Sequence, residues 1–135
     1  MAMNLDDARK IIDAALANAK EKGINISIAV VNEEAHVISL ARMDGAGFLT
    51  PDIALGKAGA AAAFKRSSAE IQTAAETRQA FFSGISTLAH GRFLAGMGGL
   101  PILKNKQVMG AVGVSGARPE QDQEIAQAGI NALQE

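Results

Sequence analysis

The side chains that could do chemistry in this sequence are two histidines, a few cations and one aspartate. Each imidazole could ligate a metal ion or move a proton, and the cations could hold the carboxylate of a ligand. In one interpretation these groups bind a small organic acid against a glycine-rich backbone, and a histidine or the aspartate moves a proton. The residues in this interpretation are His36 or His90, Arg42, Asp44, Lys57, Gly98 and Gly99.

Several kinds of catalytic site are excluded by what the sequence lacks. There is no cysteine, which excludes thiol nucleophiles, thiolate metal sites and disulfides. No nucleophile elbow, phosphate loop or metal-binding histidine pair is present. The Gly96–Gly99 cluster does not match a dinucleotide fingerprint and is typical of a tight turn into a strand, because proline follows where a helix would begin. The residues alone leave open whether the chain is an enzyme.

Composition indicates one globular domain over residues 1–135. Of these 135 residues, 48% are hydrophobic and 20% charged, which allows a real core and argues against disorder. The net charge of -1, with no basic run, removes the electrostatic surface that a nucleic-acid binder needs. The N-terminus is acidic and the apolar runs are short, so neither a signal peptide nor a membrane span is expected. We therefore expect a cytoplasmic protein without nucleic-acid or membrane partners.

The elements that must position these side chains follow from periodicity and capping residues. Helices are expected at about Leu5–Lys22, Pro51–Lys65, Ser67–Phe82 and Pro119–Gln134. Strands are expected at about Asn25–Val31, His36–Arg42, Arg92–Ala95, Pro101–Leu103 and Gln107–Ser115. Most connections between strands are short, which favours antiparallel pairing. The prediction is an α/β (α+β) fold, a single antiparallel sheet of about five strands flanked by helices.

The stretch Gln107–Ser115 is the predicted centre of this sheet. Neither of its faces is polar, which is typical of a strand covered on both sides. Alternation places Gly110 with the valines on one face, and Met109 with Ala111 and Gly113 on the other. Because glycine weakens a strand, its presence here predicts close approach of a helix, a ligand or another subunit.

The candidate side chains also have purely structural interpretations. Alternation predicts that His36 and Arg42 project from opposite ends of one strand face, where His36 could simply lie at the sheet rim. His90 could be an ordinary loop residue. Lys57 could form a salt bridge with a loop carboxylate such as Asp44.

Several short motifs occur in a fixed order between about Leu5 and Leu133. They are Arg42-Met43-Asp44-Gly45-Ala46, Ile53-Ala54-x-x-Lys57-Ala58, Gly98-Gly99-Leu100-Pro101-Ile102, Gly110-Ala111-Val112-Gly113-Val114-Ser115-Gly116, Gln121-Asp122 and Ile125-Ala126-x-Ala128-Gly129. In this order they resemble the GlcG/HbpS family, a haem-binding group that includes the C-terminal domain of PduO-type corrinoid adenosyltransferases. The resemblance implies a profilin-like fold with a five-stranded antiparallel sheet, and homo-oligomers from dimers to octamers.

The resemblance also implies haem, or a related tetrapyrrole, bound at a subunit junction, since so small a chain has little room for haem in its core. A haem site needs an axial ligand, an apolar slot and cations for the propionates. Without cysteine or tyrosine, the ligand would be a histidine, a methionine or an exchangeable hydroxyl. The expected haem-binding residues are His36 and His90 as iron ligands, with Arg42, Met43, Asp44, Lys57, Gly98 and Gly99. Further cations for the propionates are Arg92 and Arg118.

The chain departs from the family in the first hairpin. The family usually has aspartate, any residue, two glycines and histidine, whereas this chain has Asn32-Glu33-Glu34-Ala35-His36. A second departure is Ala60, where the family often has threonine. Two alternatives to a haem-binding protein stay open: an enzyme or accessory protein of a catabolic pathway acting on a small organic acid, and an oligomeric accessory protein without turnover.

Overall fold

The computed structural model describes residues 2–133, in which the chain forms five helices and four strands. In chain order these are α1 (Leu5–Glu21), β1 (Ser27–Asn32), β2 (Val37–Arg42), α2 (Thr50–Phe64), α3 (Ser68–Glu76), α4 (Gln79–Leu88), β3 (Gly99–Lys104), β4 (Gln107–Ser115) and α5 (Pro119–Asn131). The predicted end of the last helix, Gln134, lies outside the described residues. No helix in residues 2–133 is both long enough and apolar enough to span a membrane.

The four strands form one antiparallel sheet in the order β2-β1-β4-β3. Ser27 on β1 pairs with Arg42 on one side and with Ser115 on the other, while Asn32 at the far end of β1 pairs with Gly110. The two inner strands are therefore β1 and β4. This confirms the α+β class, the antiparallel pairing and the central position of β4.

The expected fifth strand at Arg92–Ala95 does not form, so that prediction was wrong. This segment has no regular secondary structure and lies against helix α2, where the Leu94 N–H donates to the Gly56 carbonyl oxygen at 3.0 Å. The Phe93 ring is buried and stacks on Phe82 with their centroids 6.3 Å apart. The apolar residues that suggested a strand serve to cover a helix.

The helix predicted over Ser67–Phe82 is two helices in the structure. The chain leaves helical geometry at Arg78, with φ -139° and ψ 49°, and α4 then continues to Leu88, six residues beyond the predicted end at Phe82. The start was predicted correctly, because the Ser67 hydroxyl oxygen accepts a hydrogen bond from the Glu70 N–H at 3.2 Å.

Helices cover both faces of the sheet. α1 and α5 pack on one face, in a core that includes Ile11, Ile28 and Ile125. Helix α2 packs on the other face so closely that a Cβ on Gly113 would stand 2.0 Å from the Ala54 carbonyl oxygen. The close approach predicted at this glycine is therefore that of a helix.

Two β-bulges interrupt the alternation that the sequence suggests. On β4, Met109 is the extra residue of a bulge and has no pairing partner on β3. Its side chain therefore packs with the valines in the core formed by α1 and α5, and does not face α2. On β2 the pairing passes over Ile38, which packs on the same core face as Ala41. The prediction of one shared face from His36 to Arg42 was wrong for this reason.

Candidate functional site

The two segments that carry the histidines meet on helix α2. A Cβ on Gly59 would stand 1.8 Å from the Arg92 carbonyl oxygen and 3.9 Å from the Ala35 Cβ. Ala35 immediately precedes His36, and His90 lies two residues before Arg92. Only glycine at position 59 leaves room for the Arg92 backbone. Helix α2 therefore forms a platform on which both histidine-bearing segments lie.

His36 is exposed at the end of the hairpin between β1 and β2. The Asn32 side-chain oxygen closes this turn by accepting hydrogen bonds from the Glu34 N–H at 3.0 Å and the His36 N–H at 2.9 Å. Its amide nitrogen lies 3.5 Å from His36 Nδ1. Ala35 takes the left-handed conformation, with φ 64°, which glycine adopts more readily than alanine does. Asn32 therefore sets both the turn and the surroundings of the imidazole.

His90 is exposed at the turn that follows α4. It has φ 53°, and Gly91 after it has φ 79°, so two successive left-handed residues return the chain to α2. The His90 N–H donates to the Thr87 carbonyl oxygen at 3.1 Å. Within residues 2–133 no hydrogen bond engages its imidazole ring, which is free to meet a ligand.

Exposed apolar side chains flank both histidines. Val37 and Leu40 on β2 are 52% and 39% exposed, and Leu88 and Leu94 near His90 are 80% and 40% exposed. Apolar groups exposed around a few polar ones are typical of binding surfaces. Both histidines are exposed, and neither lines any of five clefts of about 180 to 420 Å³ found elsewhere on residues 2–133. The surface around the histidines is therefore open in one chain.

Lys57 belongs to a separate, buried cluster. Its ammonium donates to the Val114 carbonyl oxygen at 3.0 Å and lies 3.2 Å from Asp122 Oδ2. The other carboxylate oxygen of Asp122 accepts the Ala117 N–H at 2.9 Å. The partner of Lys57 is therefore Asp122, on α5, instead of Asp44.

Burial raises the pKa of the Asp122 carboxyl above its ordinary value, and the Lys57 ammonium and the Ala117 N–H partly offset that rise. Both side chains are less than a tenth exposed. Asp122 was not among the predicted site residues. Its signal was the Gln121-Asp122 motif together with a lone lysine in an alanine-rich helix, which needs a buried counter-charge.

The glycine cluster before β3 wraps around the Lys57 side chain. A Cβ on Gly98, which has φ 131°, would stand 2.9 Å from Lys57 Nζ. The Gly99 N–H donates to the Ser68 hydroxyl at 2.7 Å, and that hydroxyl donates to the Gly96 carbonyl oxygen. The expected tight turn is present, and it packs against a buried ion pair.

The three candidate arginines lie on different parts of the chain. The Arg42 guanidinium donates to the Ala46 carbonyl oxygen at 2.6 Å, within its own loop. Arg92 is exposed beside the second histidine and donates from Nε to the Ala89 carbonyl oxygen at 3.4 Å. Arg118 is exposed at the start of α5. Of these cations, Arg92 belongs to the surface formed around Gly59.

Arg42 and His36 lie near opposite ends of the sheet. Arg42 pairs with Ser27, whereas Asn32, which closes the turn before His36, is five residues further along β1. At about 3.3 Å per residue this separates the two ends by roughly 16 Å. The structure therefore does not bring Arg42 and His36 together, as the small-acid interpretation with His36 requires.

The two residues after Arg42 are Met43, which packs in the core, and Asp44, which is exposed. The Met43 sulfur accepts the Ile26 N–H at 3.3 Å, and its side chain packs against the α1 and α5 core. Asp44 is exposed in the turn that follows and has no cation partner within residues 2–133. Neither side chain adds a group to the surface that carries the histidines.

Comparison with known proteins identifies the family. The sequence model of the family described as haem degrading protein HbpS-like matches residues 3–131. The 15.0 kDa protein of the dhaT-dhaS intergenic region of Citrobacter freundii is 32% identical over 133 residues, which cover 98% of this chain and 93% of that protein.

Two solved structures are similar over nearly the whole chain. Protein ORFY of Klebsiella pneumoniae is 33% identical with a TM-score of 0.89, over 98% of this chain and 90% of that one. The PduOC–haem complex is 25% identical with a TM-score of 0.87, over 98% and 95% of the two chains. The family resemblance of the short motifs is thereby confirmed, and the chain belongs to the GlcG/HbpS family of HbpS-like proteins.

Proposed function

We propose that this chain is a small haem-binding protein that holds haem, or a related tetrapyrrole, at a junction between copies of itself. The observation that carries this proposal is the convergence of the His36 and His90 segments on α2 at Gly59. Two imidazoles on neighbouring segments, beside apolar side chains and a guanidinium, are the groups that a haem requires.

The residues at this surface fit haem chemically. Imidazole is a common axial ligand, so His36 and His90 are the groups that would face the macrocycle. The exposed Arg92 guanidinium would hold a propionate through charge-assisted hydrogen bonds. Val37 and Leu94 would cover the ring and exclude water. Bound haem supplies an iron centre whose chemistry depends on these ligands and on their access to solvent.

A site between two copies agrees with the openness of the surface. Both histidines are exposed on the surface of a single copy, where a second copy can reach them. Apolar side chains as exposed as Leu88, at 80%, are typical of surfaces that another molecule covers. A second copy would complete the slot and bury these groups.

The relatives support haem as the ligand. The family description names haem degradation, and one similar solved structure is a PduOC–haem complex. The separation of Arg42 from His36 along the sheet does not favour the small-acid enzyme.

Native mass spectrometry after addition of haemin tests the proposal. We expect haem on species that contain two or more chains, and a loss of that haem in the His36→Ala/His90→Ala double variant. Haem carried by single chains alone would contradict the junction. No haem on any species would contradict haem binding itself.

A further inference from the structure

On the basis of the proposed haem function, we infer that Asn32 controls which ring nitrogen of His36 carries the proton. Through this control, Asn32 makes His36 a hydrogen-bond donor to the haem periphery. His90 is then the residue that ligates the iron. Asn32 is thus a positioning residue that acts through His36, and the two histidines have different roles.

The hydrogen bonds of the Asn32 side chain fix the orientation of its amide group. Its oxygen accepts two backbone hydrogen bonds, from the Glu34 N–H at 3.0 Å and from the His36 N–H at 2.9 Å. Because only the carboxamide oxygen can accept, these two bonds identify the oxygen and the nitrogen without ambiguity. The NH₂ group is consequently the part of the side chain that faces the His36 ring.

The Asn32 amide also bears on which nitrogen of the His36 ring carries the proton. The Asn32 amide nitrogen lies 3.5 Å from His36 Nδ1, and an NH₂ group has only hydrogens to offer. This contact favours the tautomer in which Nδ1 presents its lone pair and the single proton of the neutral ring is on Nε2. An Nε2–H group has no lone pair for iron, but it can donate to a carboxylate such as a haem propionate.

The imidazole of His90 differs from that of His36 in its hydrogen-bond partners. No hydrogen bond within residues 2–133 engages the His90 ring, so either nitrogen can present a lone pair. His90 also lies on a turn of left-handed residues, and Leu88 and Leu94 on either side of it in the sequence have exposed apolar side chains. Of the two histidines, His90 is the one whose surroundings allow iron ligation.

The substitution Asn32→Asp separates this inference from a purely structural role of Asn32. A carboxylate can accept both backbone N–H groups, so the turn is preserved. It can also accept from Nδ1, which moves the ring proton to Nδ1 and frees the Nε2 lone pair. Asn32→Ala removes both effects and is the control for loss of the turn, with circular dichroism to verify folding.

Nitrogen NMR of the histidine rings in the haem-free protein reads the tautomer directly. We expect His36 to carry its proton on Nε2 in the wild type, to become a mixture in Asn32→Ala, and to carry it on Nδ1 in Asn32→Asp. His90 should be unchanged in all three proteins. A wild-type His36 ring protonated on Nδ1, or a ring that Asn32→Asp leaves unchanged, would overturn the inference.

Haemin titration then tests the division of roles. In the wild type, His90→Ala should change the Soret position and the spin state of the iron. His36→Ala should keep both and weaken haemin binding about tenfold, as expected for a lost charge-assisted hydrogen bond. In the Asn32→Asp background, His36→Ala should also change the spin state.

The outcomes distinguish this inference from the proposed function. Haemin binding in which His36→Ala, and not His90→Ala, changes the iron coordination would overturn the inference while leaving haem binding intact. A wild-type protein that binds no haemin would overturn the proposed function and the division of roles with it.

Discussion

The Lys57 ammonium lies 3.2 Å from the Asp122 carboxylate, and this buried ion pair joins α2 to α5 beside the end of β4. Lys57 also donates to the Val114 carbonyl oxygen, and Asp122 accepts the Ala117 N–H, so both charges are satisfied within the chain. The pair therefore holds the helices on the two faces of the sheet in register, and it is separate from the proposed haem surface.

Removing the cation of this pair should destabilise the protein strongly. Lys57→Met leaves Asp122 buried without its counter-charge, and we expect a loss of about 3 kcal/mol at neutral pH. The Lys57→Met/Asp122→Asn double variant should recover at least half of that loss, because no lone charge remains. Urea unfolding followed by circular dichroism measures both, since the chain has no tryptophan or tyrosine to report by fluorescence. Additive losses in the double variant would contradict a coupled pair.

The cost of Lys57→Met should depend on pH. The pKa of the Asp122 carboxyl is already raised by burial, and removal of the Lys57 charge raises it further. A carboxyl whose pKa is raised on folding favours the folded state below its ordinary pKa of 3.8, and this advantage is lost as the pH rises through the folded pKa.

We therefore expect the stability gap between wild type and Lys57→Met to be smallest in acid and to widen toward neutral pH. Unfolding curves at a series of pH values test this expectation. The gap between wild type and the Lys57→Met/Asp122→Asn double variant should change much less. If the stability difference between wild type and Lys57→Met became smaller as the pH rises, the predicted direction of the pH dependence would be wrong.

The hairpin before His36 should be improved by glycine at one position. Ala35 has φ 64°, a conformation that costs an L-residue free energy, so Ala35→Gly should stabilise the protein by about 1 kcal/mol. The matched control is Ala17→Gly in the middle of α1, which should destabilise by about 1 kcal/mol. If both substitutions destabilise the protein equally, the strain assigned to Ala35 is absent.

Gly59 should be essential for the surface that carries the histidines. In Gly59→Ala the new Cβ would stand 1.8 Å from the Arg92 carbonyl oxygen, so the Arg92 segment must move away from α2. We expect a loss of about 3 kcal/mol in stability and weaker haemin binding. Gly84→Ala is the control, because its Cβ would meet nothing within 4 Å in α4 and should stabilise slightly. Wild-type haemin affinity in Gly59→Ala would contradict the shared platform.

Much of the fold could be predicted from periodicity and capping residues. Apolar spacing predicts helices α1, α2 and α5, and Pro51 and Pro119 mark the starts of the last two. The central position of β4 follows from its apolar, glycine-containing sequence. The bulges at Met109 and Ile38 could not be predicted, because a single inserted residue leaves no mark in a short alternating pattern.

The candidate site was predictable only in part, because its contacts join distant segments. Lys57 was selected, but its partner Asp122 is 65 residues away, and the sequence around Lys57 does not show which carboxylate it meets. The two histidines were selected as single residues. Their approach across Gly59 depends on the path of the chain after α4, which packs on α2 where a strand was expected.

The central claim is that the surface formed by His36, His90 and Arg92 around Gly59 binds haem, and haemin titration followed by the Soret band tests it most directly. The wild type should give a saturable Soret shift. The His36→Ala/His90→Ala double variant should lose that shift, while Arg118→Ala, altered at a distant exposed cation, should bind as the wild type does. An absent shift in the wild type, or an unchanged shift in the double variant, would contradict the claim.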